Sequence, residues 1–260
     1  DLLEAGPKLQ NDLKEVLLKF RKYSIALVSD IQEMYLQISI SEHDGKYLCF
    51  QHTCEGKKEY YQFQRLVFGL NASPFLAQLV THTNADKYVR EFPEAVDIIK
   101  NSTYMDDAMF SVENLVEAEK RKDELIKIWK AAGMKATKWM TNNKEILKTI
   151  PEEERSKMLN LEDKESCHVK ALGVNWDAST DTFGIKIEML DQPVITKRSF
   201  LRILARIFDP IGLFSAYTIK GKMILQEIWM AGVDWDQKLP DCLQNKIKNW
   251  LEELQNLKHV

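Results

Sequence analysis

The stretch STYMDDAMFS, residues 102–111, sets two carboxylates side by side, Asp106 and Asp107, between short apolar flanks. Adjacent like charges cannot both enter an apolar core. Successive side chains of a strand point to opposite faces, so two neighbours serve one site only where a strand ends or turns. The pair therefore predicts a tight hairpin tip, with short strands in IIKNSTYM and AMFSV on either side. Another acid, Asp30, closes SIALVSD (24–30), an apolar and β-branched run that reads as a buried strand. Three gathered carboxylates would repel strongly unless a cation neutralised them.

Hard oxygen ligands favour Mg²⁺, which keeps some waters and completes its shell with phosphate oxygens. Two such ions about 4 Å apart suit an in-line displacement at phosphorus. A lone Asp-Asp in a turn is more often simply solvated, so the weight falls on what surrounds it. Cys49, His52 and Cys54 are weaker metal candidates, because they alternate along an expected strand and lack a second ligand pair. They read as ordinary strand residues.

The remaining pattern mixes strands and helices, then turns helical. Leu9, Leu13, Val16, Leu17 and Phe20 recur at helical spacing. KYLCFQHT and KEYYQFQRLVF alternate as paired strands about the turn CEGK. A helix is expected from an N-cap at Ser73 with Pro74 following it. ENLVEAEKRKDELIKIWKAAG is an amphipathic helix ending at Gly133. VKALGVNWDASTDTFGIKIE reads as a hairpin around 177–181, and from Thr196 onward the pattern is nearly all helix. The composition shift near Pro193 divides an α+β domain, 1–192, from a helical one, 193–260.

With 260 residues, 45% of them hydrophobic, the chain can bury a substantial core. No run of 18 apolar residues occurs and residues 1–22 are too charged for a signal peptide, so no membrane partner is expected. Four irregularly spaced cysteines fit reduced thiols in an intracellular protein. Net charge is −3, yet residues 119–148 hold nine Lys/Arg against four Asp/Glu, and 196–222 hold six against one. Two basic stretches beside a carboxylate cluster suggest a polyanion held near a cation site.

SDIQEMYLQI, then YQFQRLVFGLNASPFLAQ, then YMDD, in this order, resemble the first three motifs of a reverse transcriptase palm. AAGMKATKW and ALGVNW resemble the fourth and fifth. LLEAGPKLQNDL, TKRSFLRILARIFDPIGLFSAYTIKGKMILQEIW and DWDQKLP are similar to the Pol polyprotein of BEL/Pao long-terminal-repeat retrotransposons. The likeness covers essentially the whole chain. It implies an α+β fold: an antiparallel palm sheet with packed helices and incomplete fingers over 1–192, and a helical thumb or connection segment over 193–260.

The resemblance also implies roles. Asp30 and Asp106 would hold two Mg²⁺ ions, with Mn²⁺ as an alternative, helped by Asp107 and the carbonyl of Ile31. Tyr35 would lie under the sugar and reject a 2′-hydroxyl. Phe68 and Gly69 would approach the incoming base, with VFGL departing slightly from the family's PFGL at Val67, and Lys138 would meet the leaving pyrophosphate. Tyr104 and Met105 would brace the primer end. Leu172, Gly173 and Trp176 would form a primer grip, and Arg198, Arg202 and Arg206 a phosphate-facing ridge.

The implied partners are an RNA template, a DNA primer or duplex, dNTPs, and the rest of Pol (protease, RNase H and integrase), in a cytoplasmic virus-like particle. No protease, RNase H or integrase signature is read here, and the family's upstream finger strands are not matched. The competing expectation is a finger-truncated relic that binds nucleic acid without polymerising. A metal-dependent nuclease lacks a His or Lys placed to activate water.

Overall fold

The structure is a computed structural model that describes residues 3–156, 168–184 and 195–256. In chain order the first elements are α1 (Leu13–Phe20), β1 (Ile25–Ile31), α2 (Met34–Gln37), α3 (Glu42–Gly45), β2 (Cys49–Cys54) and β3 (Lys57–Gln62). Then come α4 (Ser73–Asp86), α5 (Pro93–Asn101), β4 (Thr103–Tyr104), β5 (Asp107–Val112), α6 (Leu115–Ala131), β6 (Ala136–Thr141) and α7 (Lys144–Lys148). The last are β7 (His168–Ala171), β8 (Val174–Asp177), β9 (Thr182–Gly184), α8 (Lys197–Arg206), α9 (Ser215–Met230) and α10 (Asp241–Asn256). The chain forms two compact units, Asp1–Cys167 with Ala178–Thr180, and His168–Asp177 with Asp181–Val260. The expected boundary at Pro193 lies outside the described residues.

The first unit is built on an antiparallel sheet in the order β4-β5-β1-β6. Period-2 alternation splits β1 and β5 into two faces. Ile25, Leu27 and Ile31 on β1 join Ala108, Phe110 and Val112 on β5 in the main core, together with Ala77 of α4, Ile99 of α5, and Leu125, Ile128 and Trp129 of α6. The opposite face carries Ala26, Val28 and Asp30 against Ser111, Met109 and Asp107. There α1 lies against β4 and β5, burying Val16, Leu17 and Phe20. Ser111 Oγ accepts from the Tyr23 amide and donates to the Lys19 carbonyl, which fixes α1 over the Ser111 end. The aspartate end is only partly covered.

Two local expectations need correction. IIKN is the end of a helix and not a strand: Pro93 opens α5, and Ala95, Val96, Ile98 and Ile99 form one buried helical face. Only Thr103–Tyr104 remains for the strand before the aspartates. The N-cap of α4 is Ala72, while the Ser73 hydroxyl donates to the Val67 carbonyl at 2.6 Å. As expected, α6 stops at Gly133 (φ 72°), where the Met134 amide reaches back to the Trp129 carbonyl. The β2–β3 hairpin is exposed along both strands and carries the aromatic cluster Phe50, Tyr61 and Phe63. Cys49 and Cys54 sit at its opposite ends.

In the second unit β7, β8 and β9 form an antiparallel meander. Helices α8, α9 and α10 share a core of Phe200, Tyr217, Ile224, Ile228, Leu239, Leu243, Ile247 and Trp250. Tyr217 stacks on Trp250 and donates its hydroxyl proton to the Trp250 carbonyl at 2.5 Å. Gly221 of α9 lets these helices approach, since a Cβ there would lie 2.7 Å from the Trp250 ring and 2.8 Å from Leu204. Gly221→Ala should therefore lower stability by about 1–2 kcal/mol in urea unfolding, although alanine alone favours a helix by roughly 1 kcal/mol. A stabilised variant would contradict this packing.

Candidate active site

The aspartate hairpin is as tight as the sequence requires. Tyr104 pairs with Asp107, so Met105 and Asp106 form a two-residue loop. Met105 has φ 57°, a left-handed conformation that glycine adopts far more readily, at a cost of about 1 kcal/mol. The surroundings hold it there. Gln78 Nε2 donates to the Met105 carbonyl at 2.9 Å, Gln10 Nε2 to Met105 Sδ at 2.8 Å, and the Ile31 amide to the Asp106 carbonyl at 2.9 Å. The last bond ties the tip to β1 directly after Asp30.

Strand register then places Asp30 directly opposite Asp107. Burial, followed by the charges of Asp106 and Asp30, pushes the Asp107 carboxyl up to about 7. Asp106 is also raised, mainly by burial, with Asp30 adding to it. Lys138 Nζ lies 2.9 Å from Asp30 Oδ2, and that hydrogen bond holds the ammonium above its ordinary value. Among the described residues no three His, Cys, Asp or Glu side chains stand close enough to hold one ion. The donor set nevertheless suits a hard cation: the hairpin and the strand register gather three carboxylates, and Asp106 and Asp107 are raised by burial first and by neighbouring carboxylate charge after it.

Tyr35 stands beside this cluster. Its ring packs edge-on against Phe68 at 4.6 Å, and its phenol is raised by burial and then by the Asp106 charge. Phe68 is 69% exposed. Gly69 has φ 90° with open space where a Cβ would be, so its backbone conformation and not crowding calls for glycine. The first unit thus brings Asp30, Ile31, Tyr35, Phe68, Tyr104, Met105, Asp106, Asp107 and Lys138 into one connected neighbourhood.

In the second unit Leu172 and Gly173 form the β7–β8 turn with φ 49° and 83°. A Cβ on Gly173 would also strike Phe208 at 2.8 Å. Trp176 is wholly buried and its indole N–H donates to Asp181, so it cannot itself present a surface to a primer. Arg198, Arg202 and Arg206 are all exposed on α8, and Arg198 makes a two-pronged pair with Asp236, at 2.7 and 3.0 Å. Sequence reasoning missed Gln78, which is 2% exposed. A glutamine on the buried face of a helix, next to Ala77 and Thr81, was the available signal, because a buried amide needs a partner.

A family model described as reverse transcriptase (RNA-dependent DNA polymerase) matches residues 4–173. Another, described as Pao retrotransposon-like RNaseH-like domain, matches 196–260, where the described residues form three helices. That description differs from the sequence reading, which found no RNase H signature. No curated protein matches the chain. Among solved structures, the foamy viral protease-reverse transcriptase in complex with double-stranded DNA is 17% identical, with a TM-score of 0.60 over 96% of this chain and 38% of that one. The foamy viral protease-reverse transcriptase in complex with an RNA/DNA hybrid is 17% identical, with a TM-score of 0.58 over 96% of this chain and 30% of that one. The chain therefore spans about a third of the length of these structures, and the likeness is one of fold. The reverse transcriptase match covers well over half of the chain and the Pao match covers its C-terminal segment: this chain belongs to the reverse transcriptase family, in its Pao retrotransposon branch.

Proposed function

We propose that the chain is the RNA-directed DNA polymerase core of a retrotransposon Pol protein, extending a DNA primer on an RNA or DNA template with dNTPs. The observation that carries this reading is the Asp30–Asp107 register, with the Asp106 tip bonded to the residue after Asp30. Asp30, the Ile31 carbonyl, Asp106 and Asp107 would hold two Mg²⁺ ions, or Mn²⁺. Such ions stabilise the attacking and leaving oxygens of an in-line phosphoryl displacement.

The protein's own groups position the substrates. Tyr35, backed by Phe68 and beside Asp106, would fill the space a ribose 2′-hydroxyl needs. Phe68 and Gly69 would lie along the incoming base, and Lys138 would face the triphosphate end. Tyr104 and Met105 would brace the primer terminus. Leu172–Gly173 would touch the growing strand through the turn, with Trp176 supporting it from within, and Arg198, Arg202 and Arg206 would face the phosphates of the duplex. The remaining Pol domains (protease, RNase H and integrase) and a cytoplasmic virus-like particle complete the proposed setting. No helix among the described residues is long and apolar enough to cross a membrane.

The wild-type chain should extend a DNA primer on an RNA template in Mg²⁺. Asp106→Asn should lose extension by at least about 10²-fold while binding the same hybrid, because only transition-state contacts are removed. Binding by the wild-type chain without extension would support the relic reading. The sugar gate is tested separately by single-nucleotide incorporation. Tyr35→Phe should keep the preference for deoxynucleotides, whereas Tyr35→Val should reduce it by roughly a hundredfold, the worth of a few kcal/mol of steric rejection. Unchanged selectivity in the Val variant would place the gate elsewhere.

A further inference from the structure

Strand β6 breaks the alternation of a regular strand at one place. Val28 pairs with Met140 and Asp30 with Thr137, so Ser29 alone on β1 faces both Lys138 and Trp139 on β6. This is a β-bulge, and Lys138 within it has φ 53°. The extra residue decides which face each side chain takes. Thr137, as the partner of Asp30, belongs to the carboxylate face, and Trp139 is wholly buried in the main core on the other. In a regular strand Lys138 would follow Thr137 by pointing to the core face, where an ammonium would be costly to bury. The bulge turns it back, and Nζ meets Asp30 Oδ2 at 2.9 Å.

Packing does not require the lysine there, since its side chain is 67% exposed. Lysine is also a poor choice for a left-handed backbone. What the arrangement does achieve is to set one cation on the Asp30 carboxylate near the end of β1. An ion pair this exposed is weak, so a divalent ion with twice the charge can displace it. We propose that the β6 bulge makes Lys138 a displaceable counter-cation, holding Asp30 until a divalent ion arrives and competing with that ion for the carboxylate. The inference rests on reading Asp30 as a metal ligand, and it deepens that reading by making metal entry and lysine release one exchange. Lys138 thereby becomes free to meet the anionic end of the substrate only once the ion is bound.

The test is Mn²⁺ binding to the 260-residue chain, followed by the electron paramagnetic resonance of the free ion, so that no turnover is needed. Lys138→Gln should bind Mn²⁺ about two- to fivefold more tightly, the range expected on removing an exposed competitor. Lys138→Arg, which keeps the competing charge, should match the wild type. In an Asp30→Asn background Lys138→Gln should change nothing, because the contested carboxylate is gone. Unchanged or weaker binding by Lys138→Gln would overturn the proposal, and so would equal tightening in the Asp30→Asn background, which would mark a general charge effect. If the wild type and Asp30→Asn bind Mn²⁺ alike, the metal-ligand reading of Asp30 fails first and takes this inference with it.

Discussion

Asp30 and Asp107 face each other across neighbouring strands, and the fold cannot move them apart. Like charges directly opposite in an antiparallel pair are unfavourable. The obvious relief, a one-residue slip of β1 against β5, would turn Ile25, Leu27 and Ile31 out of the main core. Apolar burial on one face of the sheet therefore enforces carboxylate repulsion on the other. The strain is answered locally: Asp107 is pushed up to about 7, mainly by burial, and Lys138 supplies the nearby positive charge. A cluster kept short of positive charge by its own scaffold is well suited to a hard divalent ion.

The other unusual features of the first unit serve the same cluster. Met105 is held in a left-handed conformation that brings Asp106 to the tip, and Gln78 on α4 and Gln10 in the segment before α1 secure it. The bulge in β6 breaks a regular strand to deliver Lys138. Helix α1 covers the Ser111 end of the sheet face and leaves the aspartate end partly open. Unfavourable backbone and unfavourable charge thus coincide in one small region, where functional sites are most often found.

Much of this was legible from residue patterns. The buried strand that carries Asp30, a tight hairpin at the aspartate pair, and the long helix stopped at Gly133 follow from a continuous apolar run, paired acids and a glycine stop. The reading failed where tertiary packing chose among local options. IIKN suits a strand in isolation, but Pro93 and a four-residue buried face make it helical. Trp176 is wholly buried with its indole N–H on Asp181, a placement that the sequence pattern does not announce. Arg198 pairs with Asp236, which is distant in sequence, so no local pattern announces that contact. The bulge at Lys138 has no glycine to announce it, so no local signal revealed which way the lysine would point.

The pH dependence of stability tests the central claim, enforced carboxylate repulsion relieved by a divalent ion. Asp107 holds its proton up to about 7 in the folded chain, against an ordinary value of 3.8. Between those values Asp107 binds more protons in the folded state than in the unfolded one, so its contribution to stability falls as pH rises through that window. Urea unfolding of the wild type and Asp107→Asn should be compared from pH 4 to pH 8, in chelator and in Mg²⁺. In chelator, the stability advantage of Asp107→Asn should be small near pH 4, grow as pH rises to about 7, and level off above it. Saturating Mg²⁺ should shrink or reverse that advantage. A difference independent of pH, or one that Mg²⁺ leaves unchanged, would contradict the account.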